Sequence, residues 1–150
     1  MKRSQRLQSI VELHVLQEKD ALQVMGRCQQ HLQEQQKQLE HLKVYRQEYL
    51  AKLADRQQLG MNVSQLLEFR AFAEKLDKAI EGQRQAVLVQ EREFQRAQSK
   101  WEERHQRTKS LEKLNEIAVA DELKLENKRE QNEQDARAAR SARKDGANSA

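Results

Sequence analysis

Cys28 and His31 lie three residues apart, which on a helix puts a thiol and an imidazole on one face. Such a pair could offer zinc two ligands, but a zinc site draws on at least three protein donors. His14, His41 and His105 stand too far along the chain to complete a set. Free cysteine ordinarily packs as a small hydrophobe, so Cys28 is expected to be a structural thiol. No glycine-rich phosphate loop is present, and acidic residues alternate with basic ones as on solvated helix faces. The second group of note is aromatic. Tyr45, Tyr49, Phe69 and Phe72 crowd one short region, and only Phe94 and Trp101 lie outside it. Exposed rings beside leucines suit a protein contact.

The elements that must position these residues follow from composition. The 150 residues contain no proline and four glycines; 35% are charged and only 4% aromatic. That mixture reads as long helix or coiled coil and leaves too little apolar material for a globular core. A rod so thin has no concave pocket in which to tune a carboxylate, so the chain reads as a non-enzyme with no cofactor and no metal. A single cysteine permits no internal disulfide. No stretch approaches the apolar length of a membrane span, and no signal peptide opens the chain, so a soluble cytoplasmic protein is expected. The formal charge is +4, with Lys2, Arg3 and Arg6 at one terminus and Arg137, Arg140, Arg143 and Lys144 at the other. Basic termini can meet nucleic acid, acidic lipid or acidic protein, or can serve only as solvated tails.

Apolar residues recur at heptad spacing. In the first half position a takes Val11, Met25, Leu32, Leu39, Arg46 and Leu53, and position d takes Leu7, His14, Ala21, Cys28, Gln35, Leu42 and Tyr49. In the second half Ala73, Ile80, Val87, Phe94 and Trp101 fall at a, and Leu76, Gln83, Gln90, Ala97, Arg104 and Leu111 at d. Between them, Gly60 suits a helix C-terminus, and either Asn62, with Gln65, or Ser64 suits the next N-cap. The fold expected is all-α: a long two-helix antiparallel coiled-coil hairpin with a projecting, frayed C-terminal end. Its single domain covers 1–140, with a helix at about 4–57, a turn at about 58–64 and a helix at about 65–140; a disordered basic tail takes 141–150. Facing residues should have numbers adding to about 122, which sets Leu42 against Ile80, Cys28 against Phe94 and small Ala21 against Trp101. Polar seam residues such as Gln35, Arg46 and Gln83 lower stability but can fix register.

Position g flanks g in an antiparallel pair. Gln38 and Tyr45 therefore lie beside Phe72 and Ala79, and the adjoining d positions add Leu42, Tyr49, Leu76 and Gln83. The seam broadens sideways near the turn, either as a docking surface or as a cap on a thin core.

The opening MKRSQRLQSIVEL, the spacing Gln38-x3-Leu42-x2-Tyr45-x3-Tyr49 and the spacing Phe72-x3-Leu76-x2-Ala79-Ile80-x2-Gln83 resemble the flagellar FliJ family along most of the chain. The resemblance implies a stalk-like component of the flagellar type III export apparatus. Its partners would be the hexameric export ATPase, the membrane export gate and free export chaperones, which the family helps to recycle. Gln38, Leu42, Tyr45, Tyr49, Phe72, Leu76, Ala79 and Gln83 would contact the cytoplasmic linker of the gate. The helix termini at the open end would meet the ATPase ring. The location implied is peripheral, at the cytoplasmic face of the cell membrane at the flagellar base, with any effect on ATP hydrolysis exerted through a partner and no nucleic acid bound. Two other classes remain open: a nucleic-acid-binding coiled coil using the basic termini, and a generic secretion scaffold or chaperone.

Overall fold

A computed structural model describes residues 2–148, with the side chain of residue 148 left aside. The chain is all-α. Helix α1 spans Arg3–Leu59 and helix α2 spans Val63–Asn148. They pair as an antiparallel coiled-coil hairpin, divided into two units: one of Glu18–Glu103, the other of Met1–Gln17 with Arg104–Ala150. Every heptad a and d residue assigned from the sequence is buried or half-buried.

In the unit of Glu18–Glu103, the reversal is tighter than the spacing suggests. Gly60 takes φ 97°, the left-handed conformation that glycine adopts without a Cβ penalty. Its N–H donates to Gln57 O at 3.3 Å, one of the two bonds of a Schellman ending. Of the two possible caps, Asn62 is the one used: its Oδ1 accepts the Gln65 N–H at 2.8 Å, while its carbonyl accepts the Leu66 N–H at 3.2 Å. The seam then buries Ala21, Leu76, Ile80, Val87 and Ala97. Its polar members find partners. Gln83 Nε2 donates to Gln35 Oε1 at 2.7 Å and to Gln35 O at 3.0 Å. Arg46 Nε donates to Asp77 Oδ1 at the solvent edge.

In the other unit, Val11, Thr108 and Ala118 are buried. The Thr108 hydroxyl lies 3.0 Å from Arg104 O and 3.3 Å from His14 O, and His14 and Thr108 obey the facing rule, their numbers adding to 122. Arg104 Nη1 donates to Gln17 Oε1, and Asn115 Nδ2 to Gln8 Oε1, both at 2.8 Å. His14 Nδ1 and Asn115 Oδ1 are buried without a hydrogen-bond partner among the described residues. Each such group costs the seam about 1–3 kcal/mol relative to a satisfied one.

The start of α1 is capped from the opposite helix. Ser4 N–H and Ser4 Oγ–H donate to the two oxygens of Glu122, at 3.0 and 2.6 Å. The first turn of α1 has no acidic residue of its own, so Glu122 supplies the negative charge that a helix N-terminus favours. Past this contact, 123–147 are all exposed. The helix nevertheless continues to Asn148, where the sequence suggested an end near 140 and a disordered tail from 141. The physical reason is that this stretch is rich in alanine and arginine, both strong helix formers, and has no proline. Residues 149 and 150 lie outside the described ones.

Candidate functional site

The aromatic region forms one connected cluster in the unit of Glu18–Glu103. Tyr45 and Phe72 meet edge-to-face, with centroids 6.3 Å apart and planes at 83°. Tyr49 stacks at a tilt between two rings, 4.7 Å from Phe72 and 5.1 Å from Phe69. The Arg56 guanidinium sits 5.4 Å over the Phe69 ring, within cation–π range. Burial pushes the Tyr49 phenol above its ordinary pKa, and the neighbouring Tyr45 adds to that push. Tyr49 is therefore a neutral hydrogen-bonding group at any physiological pH.

The eight residues singled out from the sequence take distinct places. Leu76, at 6% exposure, lies in the seam and supports the surface from beneath. Leu42, Tyr49 and Gln83 are half-buried at the edge, Gln83 being held by Gln35. Gln38 and Ala79 are exposed, as are Tyr45 at 48% and Phe72 at 37%. Direct ring contacts join Tyr45, Tyr49 and Phe72. The outward face is thus two aromatic rings beside a small residue and an amide. Rings of this kind offer large contact area at low entropic cost, which suits recognition of another protein surface.

Sequence reasoning missed three features. Arg56 extends the cluster toward the turn through the ring of Phe69, a cation that the aromatic spacing gives no sign of. Leu59, Val63 and Leu67 are exposed at the turn itself. In the other unit, Ile10 and Leu114 occupy g positions and Leu13 and Ile117 c positions, all about half exposed on the same flank. Their g and c positions lie beside the seam, where heptad spacing does not distinguish a half-exposed aliphatic side chain from a fully solvated one.

Cys28 is half-buried and His31 exposed. Among the described residues, no three His, Cys, Asp or Glu side chains gather where they could hold a metal ion. No helix among them is long and apolar enough to cross a membrane.

Comparison with known proteins bears directly on this hairpin. The family model described as Flagellar FliJ protein matches residues 2–147. The flagellar FliJ protein of Salmonella typhi is 26% identical over 136 residues, covering 91% of this chain and 92% of that protein. The flagellar FliJ protein of Escherichia coli strain K12 matches with the same identity and coverage. No solved structure matches. A match running from the second residue nearly to the last, on a chain that folds as two paired helices, carries one conclusion: this chain belongs to the FliJ family of flagellar proteins.

Proposed function

We propose that this chain is a coupling component of the flagellar type III export apparatus, acting by binding rather than catalysis. In this reading the flank of Tyr45 and Phe72 docks on the cytoplasmic linker of the membrane export gate. The helix termini, with the half-exposed aliphatic flank of Ile10, Leu13, Leu114 and Ile117, engage the hexameric export ATPase. Free export chaperones are passed on through the same protein. The protein would then work at the cytoplasmic face of the cell membrane, held there by the gate.

One observation carries the gate reading. Tyr45 and Phe72 present aromatic surface to solvent while the seam beneath them is closed by Leu76 and Ile80. Rings that only capped the core would be turned inward, as Tyr49 is. The test is Tyr45→Ala with Phe72→Ala, followed by far-ultraviolet circular dichroism and a pull-down on the gate's cytoplasmic domain. Helicity should be unchanged and capture lost. A collapse of helicity, or undiminished capture by the folded double variant, refutes the gate reading. Separate pull-downs on the ATPase and the chaperones test the other two contacts.

A further inference from the structure

The last stretch of α2 carries a charge pattern that the hairpin does not use. Glu126, Glu130, Glu133, Arg137, Arg140 and Lys144 follow one another in alternating steps of four and three residues. On the continuous helix of Val63–Asn148 that spacing aligns all six side chains in one stripe. The first three are acidic and the last three basic. All six are exposed, and none makes an ion pair among the described residues. Arg137, Arg140, Arg143 and Lys144 are presented together on one open surface.

Within a single helix this order is unfavourable. Four of the five successive steps join like charges, which repel at such spacings; only Glu133 and Arg137 attract. Arg129, beside the stripe, relieves part of the acidic half. The pattern becomes favourable against an antiparallel copy of itself. A two-fold axis at the level of residue 135 sets Glu126 opposite Lys144, Glu130 opposite Arg140 and Glu133 opposite Arg137, and symmetry repeats each pair. A parallel copy would set like against like, so the pattern also selects orientation. Ala136 and Ser141 flank the stripe and are small enough to let two helices approach.

We infer that, in chains not engaged by the export ATPase of the proposed function, the exposed C-terminal stretch of α2 is a self-association surface, whose partner is the same stretch of a second copy of this chain running antiparallel. A polyanion such as nucleic acid fits less well. Glu130 lies only about 15 Å along the stripe from Arg140 at ~1.5 Å per residue, so the acidic half would face the phosphates.

The full-length chain is studied by sedimentation equilibrium from about 10 μM to 1 mM protein. The salt is first ~0.01 M, where the Debye length is about 30 Å, and then ~1 M, where it is about 3 Å. Self-association should appear at low salt and vanish at high salt. Glu130→Arg alone, or Arg140→Glu alone, turns two attractive pairs into repulsive ones and should weaken association by at least about tenfold. An equimolar mixture of the two variants restores opposite charges at both places, so a heterodimer should form at wild-type strength. Four outcomes overturn the inference: a wild type that is monomeric throughout, single variants that associate as the wild type does, a mixture that gains nothing, and capture of duplex DNA at low salt by a chain that does not self-associate. Exposed polar substitutions in a helix leave folding intact, and the mixing result is itself the control.

Discussion

The Gln35–Gln83 bridge lends itself to a quantitative test, because both partners sit at seam positions that a coiled coil would fill with leucine. Gln83 Nε2 makes two bonds, to Gln35 Oε1 and Gln35 O. Each is worth about 1 kcal/mol net, so Gln83→Leu forfeits roughly 2 kcal/mol. A half-buried leucine returns about 1 kcal/mol of apolar burial. Gln35 can turn its amide to water from its half-buried place, which spares the larger penalty of a sealed polar group. The single variant should therefore lose about 1 kcal/mol. Adding Gln35→Leu removes the orphaned amide and contributes a second half-buried leucine, which should bring the double variant to at least wild-type stability, about 1–2 kcal/mol above the single. For a chain of this size 1 kcal/mol corresponds to roughly 2–4 °C in Tm. Thermal unfolding followed by far-ultraviolet circular dichroism should show the single variant a few degrees below wild type and the double at or above it. If Gln83→Leu is already as stable as the wild type and Gln35→Leu merely adds to it, the two amides do not bond in solution.

Three further outcomes follow from the same geometry. Leu76→Ala empties a buried seam position and should cost about 2 kcal/mol or more in denaturant unfolding, whereas Tyr45→Ala, at an exposed ring, should cost well under half of that. Gly60→Ala should destabilise by about 1–2 kcal/mol through its left-handed backbone alone, and Gly82→Ala, inside a helix, should stabilise by about 1 kcal/mol; both sites have open space for a methyl, so unfolding midpoints should shift in opposite directions. The Glu122 cap should be acid-labile. The Ser4 hydroxyl and then the Ser4 N–H hold the Glu122 carboxyl below its ordinary pKa, so its contribution is present above the usual carboxylate range and lost as pH falls through the depressed value. Amide protection factors in the first turns of α1, taken relative to the intrinsic exchange rate at each pH, should fall on acidification, and Glu122→Gln should lower them at neutral pH and remove most of that acid dependence.

How much of this was legible in the sequence depends on the distance over which a contact acts. Heptad spacing needs only neighbouring residues, and every a and d assignment lies in the seam. The antiparallel register follows from one turn position, which is why the facing rule anticipates His14 against Thr108. Choosing between Asn62 and Ser64 as N-cap required knowing where α1 ends, and Gly60 fixes that through its φ. The Glu122 cap joins residues separated by 118 positions and depends on the axial offset of two side chains, which no local pattern encodes. The aromatic flank was visible at positions g and d. Its division into exposed Tyr45 and Phe72, half-buried Tyr49 and buried Leu76 needed rotamers that spacing does not supply.

The seam and the flank make different demands on the same few residues. A seam built for stability alone would replace Gln35, Gln83 and Arg46 by leucines and turn Phe72 inward. The chain instead spends hydrogen bonds and one exposed ion pair to hold register while leaving two rings in water. Polar seam layers suppress slipped pairings more than they stabilise the correct one. A slip of one heptad would carry Phe72 about 10 Å from Tyr45, at ~1.5 Å per residue, and abolish the edge-to-face pair. Register control is thus the property that a composite aromatic surface needs, because neither helix carries that surface alone. Under the proposed gate reading, the doubly leucine-substituted seam, though at least as stable as the wild type, should bind the gate's cytoplasmic domain more weakly. Equal or tighter binding by that variant would show that the rings act independently of register.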